Sequence, residues 1–343
     1  MMPIMQTDSL ARTTDSPVAP RSDWRAQIRS ALRSPAALLE LLDLPVDHLN
    51  VLPDPKFPML VPLAFARRMQ QGDSADPLLR QVLPAVDENR RLDGFSADPV
   101  GDMASRQAPG VLHKYSGRVL LIVTGACAIH CRYCFRQQFP YAEERAPGRR
   151  WQQALDYLES AEDVEEIILS GGDPLMLSTR QLAGLTEQLT KLPRIKRLRL
   201  HTRMPVTLPA RITPALLTWM KNLPWPLVVV LHANHAAEFD SSVDTALSRL
   251  RNQGAHLLNQ AVLLAGINDQ PDALANLMER SFFAGALPYY LHFLDRVHGA
   301  HRFEVDLGRA RMLSESLRRR LPGYLVPRLV REEQGQPYKT PIL

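Results

Sequence analysis

Gly125-Ala-Cys-Ala-Ile-His-Cys-Arg-Tyr-Cys-Phe-Arg136 contains all three cysteines of this 343-residue chain, Cys127, Cys131 and Cys134, in a CxxxCxxC run. Three thiolates this close in sequence can bind three irons of a cubane [4Fe–4S] cluster, leaving the fourth iron free for a small molecule. A structural zinc site wants four ligands, usually as two cysteine pairs, and there is no fourth cysteine; His130 lies beside Cys131 with no second histidine in helical register. An odd cysteine count argues against a disulfide framework, and the scarcity of cysteine suits a reducing compartment. The run therefore predicts a cluster held by Cys127, Cys131 and Cys134.

Just upstream, Arg118-Val-Leu-Leu-Ile-Val123 reads as a β-strand, so the cysteines sit on the loop that follows it. Further strand-like runs come at Glu166–Leu169, Arg197–His201, Leu227–Leu231, Leu257–Leu264 and Leu287–Phe293. After the first gap they recur at roughly the length of one βα unit, with helical stretches between. Six units predict an α/β fold: a partial (βα)6 TIM-like barrel over residues 111–300, with right-handed crossovers placing the helices outside. Residues 1–110 read as an N-terminal helical extension, with apolar faces in Ala36–Leu42, Pro58–Arg68 and Pro77–Leu83. Residues 301–343 form a short C-terminal segment.

Composition narrows the function classes. With 45% hydrophobic and 22% charged residues the chain is an ordinary globular protein. No run approaches a membrane span, and Met1 to Arg25 lacks the apolar core of a secretory signal, so a cytoplasmic protein without membrane contact is expected. The net charge of +5 comes from arginine, since only six of 41 basic residues are lysine. The arginines are spread along the chain without an aromatic-interleaved stripe, which argues against nucleic-acid binding.

Parallel barrels do chemistry at the C-terminal ends of their strands. The cysteine loop follows the first strand, Ser170-Gly-Gly-Asp173 the second, His201-Thr-Arg203 the third, and His232 with Asn234 the fourth; Gln260 lies within the fifth and Asp295 follows the sixth. Any one of these could be a strand-end cap. Their repetition at one rim predicts a site.

With Ser170-Gly-Gly-Asp-Pro174, His201-Thr-Arg-Met-Pro-Val206 and Asn259-Gln-Ala-Val-Leu-Leu-Ala-Gly-Ile-Asn-Asp269 added to the cysteine run, the sequence resembles the lysine 2,3-aminomutase family of radical S-adenosylmethionine (SAM) enzymes. The short length, the lone cysteine triad and the ending Gln334-Gly-Gln-Pro-Tyr-Lys-Thr-Pro-Ile-Leu343 resemble the bacterial branch that makes (R)-β-lysine for elongation factor P modification. The resemblance implies an isomerase that converts L-lysine to β-lysine with a [4Fe–4S] cluster, SAM and pyridoxal 5'-phosphate (PLP). It also implies an electron donor such as flavodoxin or ferredoxin, and a functional link to elongation factor P and its lysyl-ligase. Oligomeric state is left open.

PLP needs a lysine amine. Lys191 and Lys221 fall in crossovers, Lys196 lies at the wrong end of the third strand and Lys56 in the helical extension, which leaves Lys114 and Lys339. The resemblance points to Lys339, although Gly335-Gln-Pro-Tyr338 replaces the family's glycine-rich run. It further implies Lys114 and Arg118 on the PLP phosphate, with Lys114 where relatives have arginine, and Tyr115 on the ring. Arg136 would grip the substrate's α-carboxylate, a natural partner for a guanidinium fork. Asp295 and Glu332 would receive the side-chain ammonium, with Glu333 as the neighbouring register. Ser170, Gly171, Gly172 and Asp173 would meet the methionyl amine of SAM, and His232, Asn234 and Gln260 would orient its nucleoside. Competing readings are an aminomutase for another amino acid or for protein-attached lysine, and a non-catalytic metal-binding module.

Overall fold

The computed structural model describes residues 23–45, 50–141 and 149–342. The reading of the N-terminal stretch as lacking a signal core falls mainly on residues 1–22, outside the described residues. One sheet carries ten strands in chain order: β1 (Arg106–Ala108), β2 (Val111–Tyr115), β3 (Arg118–Thr124), β4 (Glu166–Gly171), β5 (Arg197–Thr202), β6 (Leu227–His232), β7 (His256–Val262), β8 (Leu287–His292), β9 (Arg328–Arg331) and β10 (Thr340–Pro341). Every pair from β3 to β9 is parallel. Antiparallel β1 and β2 extend one edge and β10 the other.

The six expected strands are β3 to β8, in an open barrel. The sheet continues past residues 111–300 on both sides, with β9 adding a seventh parallel strand. Side-chain alternation sets what faces inward. In β5, Leu198 and Leu200 join the main core, while Arg199 and His201 line the barrel interior. β4 is buried along its whole length, as a parallel strand covered on both faces must be. The outer helices start on local signals: Ser178 and Gln181 form a capping box for Thr179–Leu189, and proline opens Pro214–Lys221 and Pro271–Phe283.

The N-terminal region carries the expected helix over Ala36–Leu42 as Pro35–Leu41, and shortens the other two. Pro58–Arg68 is helical only over Leu63–Ala66, and the run at Pro77 only over Pro77–Arg80. Pro62 disfavours helical backbone at Val61, which instead bridges Leu32. Leu38, Leu39, Phe65, Leu78, Leu79 and Val82 form a second core that receives Ile129 from the cysteine loop. The His130 N–H donates to Leu60 O and the Arg132 N–H to Gln81 O, both at 2.9 Å. The Arg132 side chain adds an ion pair with Glu88 and a 2.8 Å bond to Phe57 O. Burying one isoleucine is worth about 1.5–3 kcal/mol, so this layer anchors the cysteine loop.

Candidate active site

The cysteine loop leaves β3 at Thr124, whose Oγ1 accepts the Ala126 N–H at 3.1 Å. The loop after β4 lies directly against it: the Gly172 N–H donates to Thr124 O at 2.7 Å and the Asp173 N–H to Ala126 O at 2.8 Å. A Cβ on Gly171 would sit 2.4 Å from Thr124 O, and one on Gly172 2.3 Å from Ala126 O. Gly171 also has φ +124, a conformation open to glycine. These glycines therefore serve backbone contact between the two loops. Gly172→Ala is expected to destabilise the fold by roughly 2–4 kcal/mol, because backbone on both sides must shift. Thermal melting beside a surface control such as Gly184→Ala, where a Cβ meets nothing within 4 Å, checks this.

Asp173 lines the same cavity as Ser170, Gly171 and Gly172. Its buried carboxylate accepts the Leu175, Arg203 and Met204 N–H groups at 3.0, 2.8 and 3.1 Å, and the Thr202 hydroxyl at 2.7 Å. It fastens β5 to β4.

Cys127, Cys131 and Cys134 are free thiols that line one cavity of about 920 Å³. Burial pushes the Cys127 thiol well up and that of Cys134 up to about 12, and the neighbouring thiols add to both shifts. Iron binding would have to displace those protons. Among the described residues no three His, Cys, Asp or Glu side chains could close on a single metal ion. Three thiols on one cavity wall suit a cluster whose irons each take one sulfur.

Across the cavity runs a chain of charges. Arg136 Nε donates to Asp102 Oδ2 at 2.7 Å, and Lys114 Nζ meets Asp102 Oδ1 at 2.7 Å and Glu332 Oε1 at 3.1 Å. Glu332 also pairs with Lys339 Nζ. Burial pushes the Glu332 carboxyl up, but Lys339 and Lys114 outweigh it and hold the group well below the usual carboxylate range. Asp102 behaves alike: burial opposes ionisation, and Arg136 and Lys114 overcome it. Asp295 has no such balance. Burial, opposed by Lys339 and reinforced by Glu332, raises its carboxyl to about 7. Glu333 is exposed, so the structure sets the register at Glu332.

Lys114 lines the cavity beside Asp102 and Glu332. Its third donor goes to Val100 O at 2.9 Å, so all three ammonium protons have protein partners. Arg118 faces the cavity with its guanidinium 4.7 Å from the Tyr115 ring centre, and Tyr289 and Tyr290 lie 3.9 Å apart beside them. Of six lysines, Lys56, Lys191, Lys196 and Lys221 are exposed, and Lys114 and Lys339 line the cavity.

His232 and Gln260 line the cavity; Asn234 does not. The Asn234 amide is engaged by Gln81, Tyr133 and the Val262 N–H, behind the wall. His201 Nε2 and His232 Nε2 are buried on the cavity with no hydrogen-bond partner among the described residues. Burial pushes His232 down to about 3 and His201 well below its usual value, so both rings are neutral. Neutral imidazoles with an unused nitrogen in a cavity of this size fit a polar organic cofactor. The sequence reading missed Asp102 altogether and did not single out His201 or Arg203 within the motif they belong to.

The sequence signature of the Radical SAM superfamily matches residues 121–277, from β3 through the helix after β7. With the cysteine loop at the mouth of an open parallel barrel, this defines a radical SAM protein. L-lysine 2,3-aminomutase of Escherichia coli strain K12 is 45% identical over 94% of this chain and 95% of its own length. That of Haemophilus influenzae is 40% identical over 93% and 95%, and that of Clostridium subterminale 29% over 94% and 78%. The chain belongs to the lysine 2,3-aminomutase family. The cofactors of that family are a [4Fe–4S] cluster, SAM and PLP. Among solved structures, a radical SAM methyltransferase from Sphaerobacter thermophilus matches 64% of this chain and 68% of its own, at 16% identity and a TM-score of 0.43.

Proposed function

We propose that the chain is a lysine 2,3-aminomutase that converts L-lysine to (R)-β-lysine, and that the product serves the modification of elongation factor P. The observation that carries the reading is one cavity lined by the three cysteines, Arg136, Asp295, Glu332 and Lys339. Cys127, Cys131 and Cys134 would hold the cluster, and Lys339 would hold PLP with Arg118 at the phosphate and Tyr115 at the ring. When bound, cluster and SAM supply one-electron chemistry able to break an unactivated C–H bond, and PLP supplies a conjugated system that carries the migrating amino group.

The chain's own work is positioning. Asp102 holds Arg136 Nε, and Ser170 Oγ is 3.4 Å from Nη1, which leaves Nη2 of the fork for an α-carboxylate. Asp102 outweighs burial and keeps that guanidinium firmly charged. Asp295 and Glu332 place negative charge where a cationic side chain would lie, which favours lysine over glutamate as substrate. Glu332 holds the Lys339 ammonium in the cavity and would share its proton as that nitrogen becomes nucleophilic. His201, His232 and Gln260 would meet SAM as neutral polar groups.

Among the described residues no helix is long and apolar enough to cross a membrane. A cytoplasmic setting, with flavodoxin or ferredoxin as electron donor, completes the proposal. Anaerobic reconstitution with iron, sulfide, SAM, PLP, dithionite and L-lysine should yield β-lysine by chiral chromatography, as the R enantiomer. SAM cleavage without β-lysine would overturn the substrate assignment while leaving the radical chemistry. Elongation factor P and its lysyl-ligase, added to the mixture, should take up the product.

A further inference from the structure

Arg203 follows β5 and lies against the cysteine loop with 7% of its side chain exposed. Its Nη1 donates to Cys131 Sγ at 2.7 Å, and its Nη2 to Gln81 Oε1 at 2.6 Å and Glu238 Oε2 at 2.9 Å. Glu238 has no solvent exposure. Its Oε1 accepts the Asn234 N–H at 2.7 Å, the His235 N–H at 3.1 Å and Gln81 Nε2 at 3.2 Å. Asp173 takes the backbone N–H of Arg203, and the Phe65 and Tyr133 rings stand 5.4 and 5.8 Å from its guanidinium carbon. The guanidinium is thus held through both Nη groups and pointed at one cysteine, while its buried Nε has no hydrogen-bond partner among the described residues.

So costly an arrangement needs a reason, since a buried ion pair adds little stability by itself. Outer hydrogen bonds orient a metal's ligands, and those to cluster sulfurs tune its potential. A permanent cation on a thiolate stabilises the reduced, more negative cluster. Buried Glu238 opposes that field from the far side of the guanidinium while holding the fork in line.

We propose that Arg203, set by Glu238, is a positioning residue for the iron–sulfur cluster: it keeps Cys131 in the ligand set and raises the cluster's reduction potential. The proposal rests on the reading that the three cysteines hold that cluster. It predicts opposite shifts from the two partners. Glu238→Gln removes the opposing charge and should raise the potential. Arg203→Met combined with Glu238→Gln removes both charges without stranding either, and should lower it. Arg203→Lys, which keeps the charge and loses the fork, should fall between wild type and the double variant.

The test uses reconstituted full-length protein without SAM or substrate, reading iron and sulfide content, thermal melting, and the midpoint potential by redox titration with electron paramagnetic resonance. The expected change is about tenfold in the ratio of reduced to oxidised cluster at fixed poise, about 59 mV for one electron, in each direction. Loss of iron from a folded double variant, with retention in Arg203→Lys, equally supports the holding role. If the double variant misfolds, Glu238→Gln alone decides by its upward shift. Full iron content with wild-type potentials in all the folded variants overturns the proposal. A wild-type protein that takes up no cluster overturns the reading beneath it as well.

Discussion

Lys339→Ala is expected to reduce β-lysine formation by about 10³-fold or more while leaving iron content unchanged. PLP should be retained by the wild type after borohydride reduction and lost from the variant. The argument is positional. Thr340 and Pro341 form β10 and pair with Arg331 and Val330, and the Ile342 N–H donates to Leu329 O at 3.0 Å. That register sets Lys339 across the turn from Glu332, on the cavity wall, with 21% of its side chain exposed. The other cavity amine, Lys114, is fully occupied by Val100 O, Asp102 and Glu332. Lys339→Arg keeps the charge beside Glu332 but has no amine to join PLP, so it should fail as completely as alanine. An active alanine variant would pass the role to Lys114.

How far this site could be read from residues varied with the kind of signal. The cysteine spacing and strand-end motifs are local, and they sit where a parallel barrel must put them. β2 was legible too: Ser116-Gly117 between Tyr115 and Arg118 is a two-residue hairpin turn, with Gly117 at φ +78. Lys114, Tyr115 and Arg118 read as cofactor contacts, and the strand that carries two of them goes unassigned. β9 has no such mark. Arg328-Leu-Val-Arg331 is four residues long, and its parallel place beside β8 depends on the crossover through the helix Leu307–Arg320. Asp102 precedes one single-turn 3-10 helix and Glu238 ends another, segments too short to show periodicity, and both carboxylates gain meaning only from the cations folding brings to them. Lys114 shows the same dependence on folding: its sequence position suits a phosphate, and two acids distant in sequence reach it in the fold.

Asp295→Asn is expected to raise KM for L-lysine by about 10²-fold and to change how stability depends on pH. The first effect follows from removing one partner of a buried charge pair, about 3 kcal/mol. The second follows from the folded carboxyl lying at about 7, above its ordinary value. Below about pH 4 the group is protonated whether folded or not, and its contribution to stability is fully present. Between there and about pH 7 the folded chain holds a proton that the unfolded chain has released, so stability falls as pH rises through the folded value. Asparagine carries no such proton. The melting temperature of the variant relative to wild type should therefore climb between pH 5 and pH 8. Substrate affinity moves the other way in the wild type. An arriving ammonium needs the carboxylate, so KM should worsen below about pH 7, and the variant should lose that component of the profile. Melting curves and initial rates across this range, on the same anaerobic preparations, check both. A melting difference that does not change with pH would mean that Asp295 is ionised at neutral pH in the empty cavity, and an unchanged KM would place the substrate's cation elsewhere on the wall.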